Sequence, residues 1–386
     1  YALVVTGPQE LYAGGLDYTN DKPFIAKSTD GGRSFFPVWQ GQVGEYPGVV
    51  GMAMGPSGNL FAVYRDNLLV FDTNADTLRA LHERVGFDAA PCTDRVIGDV
   101  EVVGNKRVFL TVCDGVLDSD TSLKNWSYQK VTRTRLGDSR LSFADSLYGL
   151  LLKCGFQGAF RTTDGGASWL SDSLGPPSGE FYDVVAMPGG QGVLVGSWAA
   201  YTVDRGRTWN GSEAPPLSGV LGCSSVVTVD DTLVWAAATS NILHSKDGGR
   251  TWDCQVYEMK EYVLAIAAYD AHVVHAGGTT IHLATTNGGD SGLTSVQEAG
   301  NVYRENESAG YPMPADRWFK VTVRGEVTHW RIVDGFCREV PTTGDVTASE
   351  SAYILTVHTH SVASGVYYVV VTTDTGEKVV PLRVHR

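Results

Sequence analysis

The sequence predicts an all-β protein made of repeated four-stranded units and followed by a second, smaller β domain. A short turn sequence recurs at intervals of 40 to 43 residues over much of the chain, and short apolar runs rich in β-branched and aromatic residues separate the copies. Beyond residue 298 the repeat ends, yet further strand-like runs follow. We therefore predict one domain over residues 1–298 and another over residues 299–386.

Four copies of the turn sequence follow the pattern Ser/Thr-x-Asp-x-Gly-x-Ser/Thr-aromatic. Their aspartates are Asp30, Asp164, Asp204 and Asp247. In a tight turn such a carboxylate accepts backbone N–H groups, the glycine adopts a positive φ, and the aromatic ring packs under the hairpin. We expect each copy to join the third and fourth strands of its unit.

The spacing of these copies predicts seven units. Asp164, Asp204 and Asp247 are 40 and 43 residues apart, whereas 134 residues, close to three steps, separate Asp30 from Asp164. Degenerate copies over residues 72–76 and 118–126 fill that interval, and a seventh copy carries Asn287 in place of Asp. A four-stranded repeat of this length is typical of a propeller blade, so the sequence predicts a seven-bladed β-propeller.

Apolar runs place the strands of two units in detail. They predict strands in the fourth unit at residues 141–147, 150–154, 159–162 and 169–172. In the sixth unit they predict strands at residues 220–229, 232–237, 242–245 and 252–256. The first unit is expected to begin at its innermost strand, over residues 3–6.

Residues 299–386 have the pattern of a small β-sandwich. The segment Gly365-Val-Tyr367 resembles the tyrosine corner of immunoglobulin-like domains, in which a tyrosine hydroxyl bonds back to the backbone after a glycine turn. Trp330 lies where the core tryptophan of such a domain would pack, and we expect Trp330 and Tyr367 to be buried. Val369 stands at the usual place of the second cysteine, so a disulfide between the sheets is not expected. Two irregular extra blades are the alternative.

The four-copy turn sequence resembles the Asp box, or BNR repeat, of sialidases, sortilin-like receptors and related β-propellers. The resemblance implies the fold but leaves the activity open, because the box occurs in enzymes and receptors alike. A sialidase would require an Arg-Ile-Pro motif before the first box and an arginine cluster for the sugar carboxylate. Residues 1–29 contain no arginine, and the first is Arg33. We therefore expect no sialidase activity.

Other catalytic chemistry has little support in the sequence. A glycosidase with paired carboxylates would draw on Asp88, Asp183 or Glu261. In a chain with 43 acidic residues, however, most such acids simply occupy loops. We expect no catalytic residue, no enzyme activity and no cofactor.

Three neighbouring histidines, His272, His275 and His282, suggest a metal cluster at first sight. On a strand, His272 and His275 point to opposite faces, so a shared site would require a bend between them. We therefore interpret these side chains as ordinary strand histidines and expect no metal site.

Composition limits the partners and the location. The net charge of −13 argues against nucleic acid as a partner, and no apolar run approaches the roughly 18 residues that direct membrane insertion requires. The six cysteines form no C-x-x-C pair; disulfides are expected, with Cys337 left free or paired outside the chain. Asn125, Asn210 and Asn306 lie in glycosylation sequons. These features favour an extracellular or cell-surface protein, here an ectodomain fragment.

Aromatic residues gather on the face that carries two sets of loops, those between the fourth strand and the next first strand and those between the second and third strands. The candidate binding residues are Tyr46, Phe87, Phe181, Tyr182, Trp198, Tyr201 and Tyr262. The predicted function is a non-enzymatic extracellular binding or adhesion module, such as a receptor or adhesin ectodomain, which recognises a protein or glycan partner with these loops. The alternatives are a carbohydrate-active enzyme or lectin that uses the propeller channel, and a propeller-type assembly factor.

Overall fold

The all-β prediction is confirmed: of the residues that the structure describes, 61% are in strands and 1% in helix. In the computed structural model, the described residues are 2–45, 48–55, 58–73, 90, 96–104, 106–133, 135–155, 158–171, 179–197, 199–213, 222–238, 241–256, 262–278, 281–288, 295–298, 310–311, 318–323, 326–334, 339–348, 353–359, 361–363, 365–374 and 376–384.

Within these residues, positions 2–298 form seven antiparallel sheets of three or four strands, which we number 1 to 7 in chain order. Sheets 1 to 3 contain β1 (Ala2–Val5), β2 (Leu11–Asp17), β3 (Lys22–Ser28) and β4 (Phe36–Gln40); β5 (Gly51–Met54), β6 (Asn59–Tyr64) and β7 (Asn67–Asp72); and β8 (Ile97–Val103), β9 (Arg107–Val112), β10 (Gly115–Asp120) and β11 (Trp126–Lys130).

Sheets 4 to 7 continue the series. They contain β12 (Ser139–Phe143), β13 (Gly149–Lys153) and β14 (Ala159–Thr162); β15 (Phe181–Met187), β16 (Gln191–Gly196), β17 (Ala199–Thr202) and β18 (Asn210–Gly211); β19 (Cys223–Thr228), β20 (Val234–Ala238), β21 (Asn241–Ser245) and β22 (Asp253–Val256); and β23 (Val263–Ala268), β24 (Val273–Gly278), β25 (Ile281–Thr286) and β26 (Ser295–Glu298).

The seven sheets follow one another around a ring. The first strand of each sheet contacts the first strand of the next, in the order β1, β5, β8, β12, β15, β19 and β23, and β23 contacts β1. Between neighbouring sheets lie clusters of buried apolar side chains, and the described residues form one such cluster at each junction from sheets 1 and 2 to sheets 6 and 7. Burial of these side chains between the sheets is what stabilises the ring.

In sheet 4 the structure differs from the prediction at the end of the first strand and at the fourth strand. In sheet 4 the first strand ends at Phe143, because the Asp145 carboxylate accepts the N–H groups of Leu147 and Tyr148, both at 2.7 Å, and turns the chain. The predicted fourth strand of that sheet is reduced, among the described residues, to a bridge between Leu170 and Arg161.

The four predicted aspartates lie in turns with the same hydrogen bonds. At Asp247, the Ser245 hydroxyl and the Thr251 N–H donate to Oδ1 at 2.8 and 2.9 Å, and the Thr251 hydroxyl donates to Oδ2 at 2.7 Å. The Ser245 oxygen in turn accepts the Gly249 N–H at 2.8 Å. Equivalent bonds occur at Asp30, Asp164 and Asp204.

The degenerate copies deviate from this geometry. Asp118 and Asp120 lie on β10 and not in a turn; Asp118 pairs with Arg107 at 2.5 Å, and Asp120 accepts the Ser122 N–H at 2.9 Å. Near Asn287, the Thr285 hydroxyl donates to the Asn287 side-chain oxygen at 2.7 Å, as the serine or threonine does to the aspartate in the four turns.

Replacement of Asp247 by alanine is expected to lower the free energy of unfolding by about 1–3 kcal/mol, because it leaves turn amides without an acceptor. Burial raises the pKa of Asp247, but the hydrogen bonds from Thr251, Ser245 and Arg250 outweigh it and lower the pKa overall. The contribution should therefore be complete above the ordinary aspartate pKa and decline as the pH falls below it. Urea unfolding at pH 7 and pH 3 measures both effects; an unchanged midpoint at pH 7 would contradict this role.

Residues 310–384 form two more sheets. Their strands are β27 (Gly310–Tyr311), β28 (Trp318–Val323), β29 (Val327–Asp334), β30 (Thr343–Ala348), β31 (Tyr353–His358), β32 (Gly365–Thr373) and β33 (Gly376–Val384). One sheet has the order β27-β28-β31-β30 and the other the order β29-β32-β33. Buried side chains of both sheets, such as Val321, Leu355 and Val369, share one core. Tyr367 belongs to this core, whereas Trp330 is only partly buried and packs against Gly344.

The sequence left the pairing of the cysteines open. Cys154, Cys223 and Cys254 form no disulfide in the structure. Cys223 and Cys254 are buried in the apolar cluster between sheets 5 and 6, where they act as small apolar side chains.

Candidate functional site

A β-bulge interrupts the first strand of sheets 3, 5, 6 and 7 at the same point, its second residue. The register shifts at Gly98, Tyr182, Ser224 and Leu264. A bulge leaves one residue without a partner on the neighbouring strand, redirects its side chain, and is frequent beside binding sites. The beginnings of the first strands are therefore the region in which to look for a site.

In sheets 3, 5 and 6 the side chain of the residue after the bulge is hydrogen-bonded to the first strand of the next sheet. Asp99 Oδ2 accepts the N–H of Leu141 at 2.9 Å, and Asp183 Oδ2 accepts the N–H of Val226 at 2.8 Å. Ser225 Oγ likewise accepts the N–H of Ile266, at 3.4 Å. These bonds hold the beginnings of adjacent first strands side by side.

Charged side chains meet at this end of the ring. Burial raises the pKa of Asp99 to about 6 and that of Glu101 to about 8, and it raises the pKa of Asp183. Burial also acts to lower the pKa of Arg140, but the nearby carboxylates of Asp99 and Asp183 outweigh it, so the guanidinium stays charged. Each of these side chains keeps partial contact with solvent, although protein atoms surround it. The result is an arginine held between two carboxylates.

Exposed tyrosines lie beside these first strands. Tyr182, the bulge residue of sheet 5, is 36% exposed, and its hydroxyl donates a hydrogen bond to Glu180, which raises the pKa of the phenol. Tyr262 directly precedes β23 and is 62% exposed. The Cys154 thiol donates to the Tyr182 carbonyl at 3.3 Å. Burial raises the pKa of Cys154 to about 12, so the thiol is protonated and unreactive at neutral pH.

Sequence reasoning missed a third exposed tyrosine, Tyr18, which is 66% exposed in the hairpin between β2 and β3. In an antiparallel sheet this hairpin lies at the same edge as the beginning of the first strand. We call this side of the ring the loop face and define it by Tyr18, Tyr182 and Tyr262. The sequence feature that could have indicated Tyr18 is an aromatic residue between Asp17 and Thr19, in a turn of otherwise polar residues.

Two of the predicted binding residues do not lie on the loop face. Phe181 is 2% exposed in the apolar cluster between sheets 4 and 5, so it cannot be a surface anchor. Tyr201 is on β17, where the Arg250 guanidinium lies 5.4 Å from its ring centre, beside the turn of Asp247 and thus towards the opposite side of the ring.

Several predictions fall outside the described residues. They concern Tyr46, Phe87 and Trp198 among the binding residues, Asp88 and Glu261 among the acids, and Asn306 among the sequons. Asn125 and Asn210 are exposed, as a glycan would require. His272 is also exposed, whereas His275 and His282 are buried side by side.

Comparison with known proteins supports the fold alone. No family model and no curated protein matches the chain. Among solved structures, YCF48 bound to a D1 peptide has a TM-score of 0.56 at 16% identity, over 74% of this chain and 92% of that one. PorZ, an essential surface component of the type-IX secretion system of Porphyromonas gingivalis, has a TM-score of 0.52 at 13% identity, over 100% and 59%.

A third similar structure is the extracellular domain of the putative hybrid two-component system BT3049 from B. thetaiotaomicron. It has a TM-score of 0.51 at 12% identity, over 98% of this chain and 55% of that one. The chain thus spans little more than half of the PorZ and BT3049 structures. These likenesses establish a propeller-like all-β fold. In the part of the chain that the structure describes, no helix is long and apolar enough to cross a membrane.

Proposed function

We propose that this chain is a non-enzymatic extracellular binding module that recognises a protein partner with its loop face. In this proposal residues 1–298 are a seven-bladed β-propeller and residues 299–386 an immunoglobulin-like domain. The observation that carries the proposal is the exposure of Tyr18, Tyr182 and Tyr262 on one side of the ring. Tyr182 and Tyr262 lie beside bulged first strands. Exposed tyrosines at rigid positions are typical anchors of protein interfaces.

The fold assignments rest on topology. Seven sheets whose first strands contact one another in a closed order match a propeller. The sheet orders β27-β28-β31-β30 and β29-β32-β33 match the A-B-E-D and C-F-G sheets of constant-type immunoglobulin domains. In that match β32 is strand F, so Tyr367 near its beginning has the position of the tyrosine corner.

The hydrogen bonds that the carboxylates of Asp183 and Asp99 accept favour a binding role over catalysis. Asp183 is the candidate acid that lies among the described residues, and its two oxygens accept the N–H groups of Val184 and Val226 at 2.9 and 2.8 Å. The two Asp99 oxygens likewise accept the N–H groups of Val100 and Leu141, both at 2.9 Å. Carboxylates that hold neighbouring strands in place are poorly suited to exchange protons with a substrate.

The extracellular location is supported by Cys113, which is disulfide-bonded, and by the exposed sequon residues Asn125 and Asn210. The net charge of −13 favours a partner with a basic surface. A lectin or carbohydrate-active enzyme and a propeller-type assembly factor are the competing functions. Of these competing functions, the assembly factor is favoured by the likeness to a YCF48 structure that contains a bound peptide.

The test uses a random peptide library displayed on phage and selected against the whole chain. Peptides recovered from the selection should bind at least about tenfold more weakly to the Tyr182→Ala/Tyr262→Ala variant, equivalent to about 1.4 kcal/mol. The matched control is Tyr269→Ala, which removes a 46% exposed tyrosine from the hairpin between β23 and β24, at the opposite edge of the sheets. Equal losses in both variants would contradict the proposal, and so would turnover of aryl-glycosides that depends on Asp183.

A further inference from the structure

The junction that closes the ring, between sheets 7 and 1, differs from the others. At the other six junctions the described residues form an apolar cluster. At the closing junction, two imidazoles occupy the space: His275 on β24 and His282 on β25, which are 2% and 6% exposed.

The side chains that contact the turn glycines show that this junction departs from a pattern shared by other junctions. In sheets 4, 5 and 6, the second glycine of the turn packs against a second-strand side chain of the preceding sheet; the pairs are Gly166 with Phe109, Gly206 with Leu150 and Gly249 with Val193. In sheet 1 the corresponding Gly32 packs instead against His282 on β25, the third strand of sheet 7, and a Cβ atom at Gly32 would lie 1.9 Å from the ring. A titratable group thus takes the place of an apolar one.

The two imidazole rings are hydrogen-bonded to each other. His275 Nδ1 and His282 Nε2 are 3.2 Å apart, and the rings stack with centres 5.3 Å apart. His282 also meets the edge of Phe35 in sheet 1 at 5.5 Å between ring centres. The second nitrogen of His275, Nε2, is buried without a hydrogen-bond partner. A proton on that nitrogen would therefore have no acceptor.

The charged groups near the pair would do little to stabilise a protonated imidazole. A cavity of about 50 Å³ beside the pair is lined by Gln9, Asp30 and Arg33 of sheet 1 and by Thr285 and Thr286 of β25. The Asp30 carboxylate is already bonded to Ser28 and Ser34. His272, in the turn before β24, is exposed near Asp270. One acid and one arginine thus face the pair across the junction.

We propose that the junction between sheets 7 and 1 is an acid-sensitive closure of the ring, which loosens when the His275–His282 pair is protonated. The pKa of each histidine is lowered to about 4, chiefly by burial; for His282 the proximity of His275 adds to the lowering, and the Asp30 carboxylate acts to raise it. In the unfolded chain the histidines titrate near their ordinary pKa of about 6.5. Between these values the unfolded or opened form binds more protons, so the closed ring is fully stable above about pH 6.5 and loses stability as the pH falls towards 4.

Thermal unfolding at pH 7.5 and pH 5.0 tests the proposal. The readout is the difference between the wild type and His275→Leu, because the raised pKa values of Asp99, Glu101 and Asp183 change the stability in the opposite direction over this pH range. From pH 7.5 to pH 5.0 the wild-type melting temperature should fall relative to that of His275→Leu by at least about 2.5 °C. Leucine is the residue that the junction between sheets 4 and 5 uses at Leu150. The matched control is His272→Leu, which removes an exposed histidine and should keep the full pH dependence. An unchanged pH dependence in His275→Leu would overturn the proposal.

Hydrogen exchange on the unmodified protein gives a second answer that does not depend on how a variant folds. After correction for the intrinsic effect of pH, the amides of β2, β3, β24 and β25 should exchange at least about tenfold faster at pH 5.0 than at pH 7.5. Those of β16, β17, β20 and β21, which flank the apolar junction of sheets 5 and 6, should change little. Acceleration that is uniform over all sheets, or absent at the closing junction, would overturn the proposal.

Discussion

Replacement of Gly249 by alanine should lower the free energy of unfolding by about 2–5 kcal/mol. Two effects add at this position. The backbone has a φ of +83°, which costs an L-residue about 1–2 kcal/mol, and a Cβ atom would lie 2.5 Å from Val193 Cγ2. Overpacking of a tight contact costs a further 1–3 kcal/mol or so. Denaturant unfolding followed by tryptophan fluorescence measures the total.

A matched control separates the two effects. Gly189 has a φ of +73°, but a Cβ atom there would meet no other atom within 4 Å. Gly189→Ala should therefore show the backbone strain alone, about 1–2 kcal/mol. Equal losses at both glycines would mean that the contact between sheets 5 and 6 at Val193 is looser than the structure indicates.

The second large effect is expected at Trp235, the largest fully buried side chain of the described residues. Its ring stacks on His244 with centres 4.6 Å apart, and its indole N–H donates to the Gly288 carbonyl at 3.2 Å. It also belongs to the cluster between sheets 6 and 7. Trp235→Ala should therefore cost about 3–5 kcal/mol, measured in the same unfolding experiment.

Trp235→Phe distinguishes packing from hydrogen bonding. Phenylalanine keeps a stacked ring, and the Gly288 carbonyl still accepts a hydrogen bond from Gln255 at 2.8 Å. The loss should then be about 1–2 kcal/mol, well below that of alanine. If both substitutions cost the same, the indole hydrogen bond and not the packed ring would account for the stabilisation.

The repeated turns could be predicted from the sequence because their chemistry is local. Asp164 and Ser168 belong to one short segment, and their hydrogen bonds require only the conformation of that segment. The degenerate copies were harder to place: Asp118 has the residue type of a turn aspartate, but an ion pair with Arg107 across two strands holds it on β10.

The candidate site could be predicted only in part, because bulges and contacts between sheets are not local. Alternation along a strand does not reveal that a register shift leaves Tyr182 exposed while Phe181 is buried. The contact between His275 and His282 likewise depends on the pairing of β24 with β25. Sequence spacing placed His272 and His275 on opposite faces but carried no information about the partner across the sheet.

Cross-linking from defined positions tests the binding proposal most directly. A photoreactive benzoylphenylalanine is placed at Tyr182, Tyr262 or Tyr269 in turn, and each protein is exposed to the surface and secreted proteins of its source and then irradiated. The proposal predicts the same discrete protein adduct from positions 182 and 262 and none from position 269. An adduct from position 269 alone, or none from 182 and 262, would contradict a partner bound to the loop face.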